Sequence, residues 1–172
     1  MQKKILRRPR NRVSRVIFVT GPSGSGKSTL AIGLARKLGY RLLSLDAIRE
    51  RFKGDTRKAW LEIWKNIYQG KHVVIDAAGA SKIFRLVLRA SYFRQLRPTV
   101  VKLIAQESIL KDRQLEQSKL LPVILASGRM VTQQYLLEAT EYLPADLEID
   151  TSRSSERKVL AATLRYVHGR TV

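Results

Sequence analysis

Apolar residues along this chain follow two alternating patterns: short unbroken runs, and stripes spaced three or four positions apart. Val16–Val19, Arg41–Leu45, Val73–Asp76, Val100–Ile104 and Leu147–Ile149 have the length and aliphatic content of buried strands. Leu30, Ala31, Leu34 and Leu38 keep helical spacing and stop at Gly39. A second helix carries Ile48 to Phe52 and stops at Gly54. Asp55 or Thr56 can cap a third, running through Tyr68 to Gly70. Ile83, Leu86, Val87 and Ala90 mark a fourth, ending before Pro98. Ser108–Gln117 and Thr132–Leu143 read as helices with a loop, Ser118–Met130, between them. Leu160, Leu164 and Val167 stripe the last helix. Five strands separated by helices predict a parallel sheet covered on both faces, a three-layer α/β/α fold. Ligands of such sheets sit at the carboxyl ends of the strands, where Gly21, Asp46, Asp76 and Asp150 fall.

The first strand runs into Gly21-Pro22-Ser23-Gly24-Ser25-Gly26-Lys27-Ser28, a full match to the phosphate-loop pattern G-x-x-x-x-G-K-[ST]. Glycines let consecutive backbone N–H groups turn inward and cradle phosphate oxygens. The following helix, opening near Thr29, adds the partial positive charge of its N-terminus. Gly21, Ser23, Gly24, Ser25, Gly26, Lys27, Ser28 and Thr29 are therefore the expected nucleotide-binding set. Lys27 is placed to reach the β- and γ-phosphates, and the Ser28 hydroxyl can ligate Mg²⁺.

Phosphoryl transfer also needs an in-line acceptor and neutralisation of charge on the transferred group. Asp46, at the end of the second strand, can take or orient the proton of an acceptor hydroxyl, or simply cap a helix. Arg49 lies three residues on and can hold an acceptor anion or pair with Asp46. Asp76 can act on Mg²⁺ through water or on the acceptor. Ala77 to Ala80 carries little bulk, so an acceptor is expected to approach the backbone near Gly79. Lys111, Arg113, Lys119 and Arg129 bracket the loop at about 118–130, a candidate lid that would bring arginine onto the phosphates. Arg113 and Arg129 are its expected catalytic members. Trp60 and Trp64, one helical turn apart, suit core packing better than base stacking. His72 and His168 have no metal-like spacing and read as structural.

Composition changes this picture in one respect. The 172 residues suffice for one domain, the absence of cysteine excludes a disulfide framework, and no apolar run approaches a membrane span. A reducing, cytoplasmic setting is expected. The charge, however, is +19, from 33 Lys+Arg against 14 Asp+Glu. Nucleotide binding does not require that. Such a field attracts polyanions, so RNA or DNA is a candidate partner through the basic surface. Residues 1–14 form a basic arm without an acid, ahead of a single domain at 15–172. Lys82, Arg85 and Arg89 form a further basic stripe. No membrane and no protein partner is expected.

From residue 15 to 168 the chain resembles the small P-loop kinases of the nucleoside-monophosphate-kinase-like group. That resemblance implies the strand order 2-3-1-4-5, ATP and Mg²⁺ as cofactors, and transfer of the γ-phosphoryl group to a hydroxyl. Leu43-Ser44-Leu45-Asp46 through Gly54, and Tyr142 through Thr151, are similar to segments of shikimate kinases. In those enzymes the aspartate at the Asp46 position binds the acceptor hydroxyl. Three departures argue against shikimate itself. Ala77-Ala78-Gly79 replaces a triple glycine, the stretch from Gly54 to His72 is short, and Glu138 stands where an arginine is expected. The pair Asp46 and Arg49, and the strand ending at Asp76, also resemble 5′-hydroxyl polynucleotide kinases. Arg113 fits the first of their two lid arginines, whereas Gln117 occupies the second position. The expected activity is a kinase acting on a small hydroxyl-bearing metabolite. A polynucleotide 5′-end is the alternative, and a nucleic-acid-binding ATPase module is a third reading.

Overall fold

The computed structural model describes residues 16–79, 81–94, 96, 98–116, 123–124, 130–131 and 143–169. In chain order these hold β1 (Val16–Thr20), α1 (Lys27–Leu38), β2 (Arg41–Ser44), α2 (Leu45–Arg51) and α3 (Thr56–Tyr68). There follow β3 (Val73–Asp76), α4 (Lys82–Phe93), β4 (Thr99–Ile104), α5 (Glu107–Glu116), β5 (Val123–Ile124) and β6 (Met130–Val131). β7 (Leu147–Asp150) and α6 (Glu156–Gly169) complete the set.

Five of the strands form one parallel sheet in the order β2-β3-β1-β4-β7. With β7 as its fifth strand, this is the 2-3-1-4-5 order expected from the sequence. Alternation along β1 shows why both faces must be covered. Val16 and Phe18 join a core with Trp60, Ile63 and Phe84 beneath α2–α4. Ile17 and Val19 join a second core with Leu34, Leu103, Val159 and Val167 beneath α1 and α6. Trp60 is almost fully enclosed, with its ring 5.9 Å from that of Phe84. It is a core residue.

Element ends shift by a few residues from the sequence reading, and two differences matter for the site. The second strand stops at Ser44, and Leu45 and Asp46 already belong to α2. The Ser44 hydroxyl accepts the backbone N–H of Ala47 at 3.5 Å, which caps the helix two residues before Asp46. Within the segment expected to be a plain loop, β5 and β6 pair antiparallel, Val123 with Val131 and Ile124 with Met130. The basic arm and most of the expected helix at 132–143 lie outside the described residues. Among the described residues no helix is long and apolar enough to cross a membrane.

Candidate active site

Sheet register brings the chemistry to one edge. Asp76, the last residue of β3, is paired with Val19 on one side and Ser44 on the other. The phosphate loop leaves β1 one residue beyond that level. Its first glycine packs against the sheet: a Cβ on Gly21 would stand 2.3 Å from the Leu103 carbonyl oxygen. At its far end Gly26 has φ 88°, a left-handed turn that aims the loop into α1, with open space where a side chain would be. Ser25 is buried and its Oγ has no hydrogen-bond partner among the described residues. The loop is thus a cradle lined by backbone, with a spare hydroxyl inside it.

Lys27 Nζ donates to the Pro22 carbonyl at 2.8 Å and spans its own loop. Ser28 Oγ donates to Asp76 Oδ2 at 2.7 Å. Asp76 is 8% exposed, so its carboxylate is held beside the loop and not in bulk water. A hydroxyl and a carboxylate converging at a phosphate cradle are the hard oxygen donors that suit Mg²⁺ shared with phosphates. Among the described residues no cluster of three or more His, Cys, Asp or Glu could build an all-protein metal cage. The donors therefore fit a cation that arrives with a nucleotide.

Beside the loop a cleft of about 630 Å³ opens between α1, α5 and α6. Gly26, Thr29, Arg36, Arg113, Thr151 and Arg157 are among its walls. Arg113, on α5, donates to the Thr151 carbonyl at 2.8 Å, to Thr151 Oγ1 at 3.2 Å and to the Gly24 carbonyl at 3.4 Å. Thr151 Oγ1 in turn lies 3.1 Å from the Ser25 carbonyl and 3.2 Å from that of Ile104.

A family model described as AAA domain matches residues 16–119. The chain belongs to that family. Several of its relatives are small kinases, and a tRNA dimethylallyltransferase from Francisella philomiragia is 28% identical over 160 residues, covering 91% of this chain and 45% of its own length. A Thermococcus kodakarensis protein provisionally named an adenylate kinase is 32% identical over 161 residues, covering 88% of this chain and 85% of its own length. The shikimate kinase of Geobacter sulfurreducens is 30% identical over 171 residues, covering 89% of this chain and 91% of itself. Among solved structures, a shikimate kinase from Acinetobacter baumannii in complex with shikimate superposes with a TM-score of 0.63 at 18% identity, covering 91% and 94% of the two chains. At that identity the superposition speaks for the fold.

In this P-loop kinase domain the expected acceptor residues divide. Asp46 and Arg49 stand at the same edge as Asp76, two and five residues past Ser44, and pair with each other at 3.1 Å. The Asp46 side chain is 84% exposed, open to a substrate. Gly79 is different. It is buried, and the volume a side chain would take is filled by Leu143 and the Thr20 side chain. Ala77 is likewise part of the core. The side-chain space at this segment is therefore taken by core packing. Arg129 and Lys119 lie outside the described residues. Lys111 pairs with Glu107 on its own helix.

Thr151 is the residue sequence reasoning missed. The available signal was its place directly after the last strand, at the ligand edge of the sheet. Asp150, one residue before, is exposed and held below the usual carboxylate range by hydrogen bonds from the Ser152 hydroxyl and backbone N–H. His72 packs against Tyr40 at the opposite end of the sheet, with ring centroids 4.9 Å apart and planes tilted by 42°. His168 Nδ1 lies 2.7 Å from the Leu164 carbonyl oxygen.

Proposed function

We propose that this protein is an ATP- and Mg²⁺-dependent kinase that transfers the γ-phosphoryl group to a hydroxyl of a small metabolite. The observation that carries the reading is the Ser28–Asp76 contact at the mouth of the cradle, with Asp46 exposed on the same edge. The 630 Å³ cleft suits the nucleoside end of ATP, with Arg113 and Thr151 as its wall. Gly21 to Thr29 bind the phosphates. Lys27 moves from the Pro22 carbonyl onto the β- and γ-oxygens. Ser28 and Asp76 would hold Mg²⁺, which would supply neutralisation of charge on the transferring phosphoryl group. Asp46 orients the acceptor hydroxyl and takes its proton. Arg49, paired with Asp46 at 3.1 Å, orients it and is available to an anionic group on the acceptor. Arg113, fixed against Gly24, is placed to add positive charge beside the phosphates. The shikimate kinases among the relatives support a small hydroxyl acceptor, and ATP as donor accords with a cytoplasmic setting.

A polynucleotide 5′-hydroxyl is the second reading, favoured by the Asp46–Arg49 pair and the +19 charge. Labelled-ATP transfer screened over hydroxyl metabolites, nucleoside monophosphates and 5′-hydroxyl oligonucleotides separates these. Label on a hydroxyl metabolite, lost in Lys27→Ala, is the expected result. Label only on a nucleoside monophosphate or an oligonucleotide overturns it, and so does ATP hydrolysis with no acceptor labelled.

A further inference from the structure

α4 shows an unusual exposed face. Its buried side, Phe84, Val87, Leu88 and Ser91, is committed to the core. Its outer side carries Lys82, Arg85 and Arg89 at helical spacing, all exposed, with Leu86 62% exposed between them. At its C-terminus Phe93 is 88% exposed. The next residue, Arg94, lays its guanidinium 4.3 Å from the ring centroid of Tyr68, itself 61% exposed on α3. Between Asp76 and Glu107 the sequence contains no acidic residue. The ion pairs among the described residues join Asp46–Arg49, Asp55–Lys58, Lys102–Glu148 and Glu107–Lys111, and none reaches α4.

We infer that this face binds a single-stranded polynucleotide. Lys82, Arg85 and Arg89 face the phosphates along about 10 Å of helix, at 1.5 Å per residue over seven steps, and Phe93 lies one helical turn beyond Arg89. Phe93 and the Arg94–Tyr68 stack offer flat surfaces to unpaired bases. This pairing of a cationic track with terminal aromatics is the chemistry of sequence-tolerant single-strand binding. A membrane surface fits less well. A helix lying on lipid sinks its apolar face into the interface, and the apolar face of α4 is already buried under the sheet. α4 starts beside Asp76 at the ligand edge of the sheet and runs to the opposite edge, where β1 begins. The inference is independent of which acceptor is phosphorylated.

The test is fluorescence anisotropy of labelled single-stranded RNA and DNA across about 50–200 mM salt, where phosphate-driven binding weakens steeply. Wild type is expected to bind, with a log–log salt slope steeper than about −2 if three phosphates are contacted at about −0.7 each. Arg85→Glu with Arg89→Glu flattens that slope and cuts affinity at least tenfold. Phe93→Ala costs about fivefold or more, the lower end of a base–aromatic stack. Lys158→Glu with Arg165→Glu, on exposed positions of α6 across the sheet, makes the same change in charge and leaves affinity within about twofold. All three variants alter exposed side chains, and their ATP-induced thermal shift reports an intact domain. No binding by wild type overturns the inference. So does an equal loss in the α6 variant, which assigns the effect to net charge alone. Binding to anionic vesicles in place of oligonucleotides, with the same variant dependence, overturns it as well.

Discussion

Two aspartates at one edge of the sheet live in opposite surroundings. Asp76 is nearly enclosed and bonded to Ser28, whereas the Asp46 side chain is mostly in water and paired with Arg49. Their substitutions should therefore separate. Asp76→Asn is expected to weaken ATP binding only when Mg²⁺ is present, because a charged oxygen donor is lost where the cation belongs. Asp46→Asn is expected to leave ATP binding unchanged and to lower transfer by about 10²–10⁴, the range for a positioned general base. Calorimetric titration with and without Mg²⁺, alongside single-turnover transfer, reads both. Equal loss of binding in the two variants would make Asp46 a structural residue. The phosphate loop was legible in sequence because its residues are contiguous and each answers a local demand. Thr151 was not, because its partner Ser25 is 126 positions away. Only the strand order brings them together. Gly79 has a second use that, for a related reason, the sequence did not show. Its small size, which suggested access for a ligand, is used to admit Leu143.

Among the elements, order and type followed from apolar periodicity, and the errors sit at ends and in the shortest pieces. Asp46 falls in a helix because the Ser44 side chain caps α2 early, a competition between strand and cap that periodicity cannot resolve. β5 and β6 have two residues each, too few to show alternation. The helix of greatest mechanical consequence is α4, since it carries the exposed cationic face and also closes one core. Phe84 anchors it edge-on to Phe18, with ring centroids 5.3 Å apart, and to Trp60. Phe84→Ala is expected to destabilise the domain by about 3–5 kcal/mol, as large-to-small changes at buried aromatics do. Urea unfolding should show a lower midpoint with an unchanged slope. A change below about 1 kcal/mol would mean that α4 docks through other contacts.

For the whole molecule, acid and base act on different groups. Asp55, which caps α3 by accepting the Lys58 N–H, is held below the usual carboxylate range chiefly by that bond. Asp150 is held low by Ser152. A depressed folded-state value means that stability is present above the unfolded value, near 3.9, and is lost as pH falls through the folded one. Burial raises the Tyr40 hydroxyl above its ordinary value. That contribution is complete below the unfolded value near 10 and is lost as pH rises further. Tm measured against pH should therefore form a plateau that falls on both sides. Asp55→Asn should make the acid limb shallower, and an unchanged acid limb would exclude this cap as a contributor.

The family match ends at residue 119, yet the rear wall of the phosphate loop is built by residue 151. Thr151 touches the Ser25 and Ile104 carbonyls and receives Arg113, so one side chain fastens the turn after β1, the end of β4 and α5 to the segment that leads into α6. The phosphate loop and the segment after β7 are thus latched at a common point. Filling the loop is therefore expected to tighten the last helix together with the first. Heat should release them in a single cooperative event whose midpoint climbs as nucleotide is added.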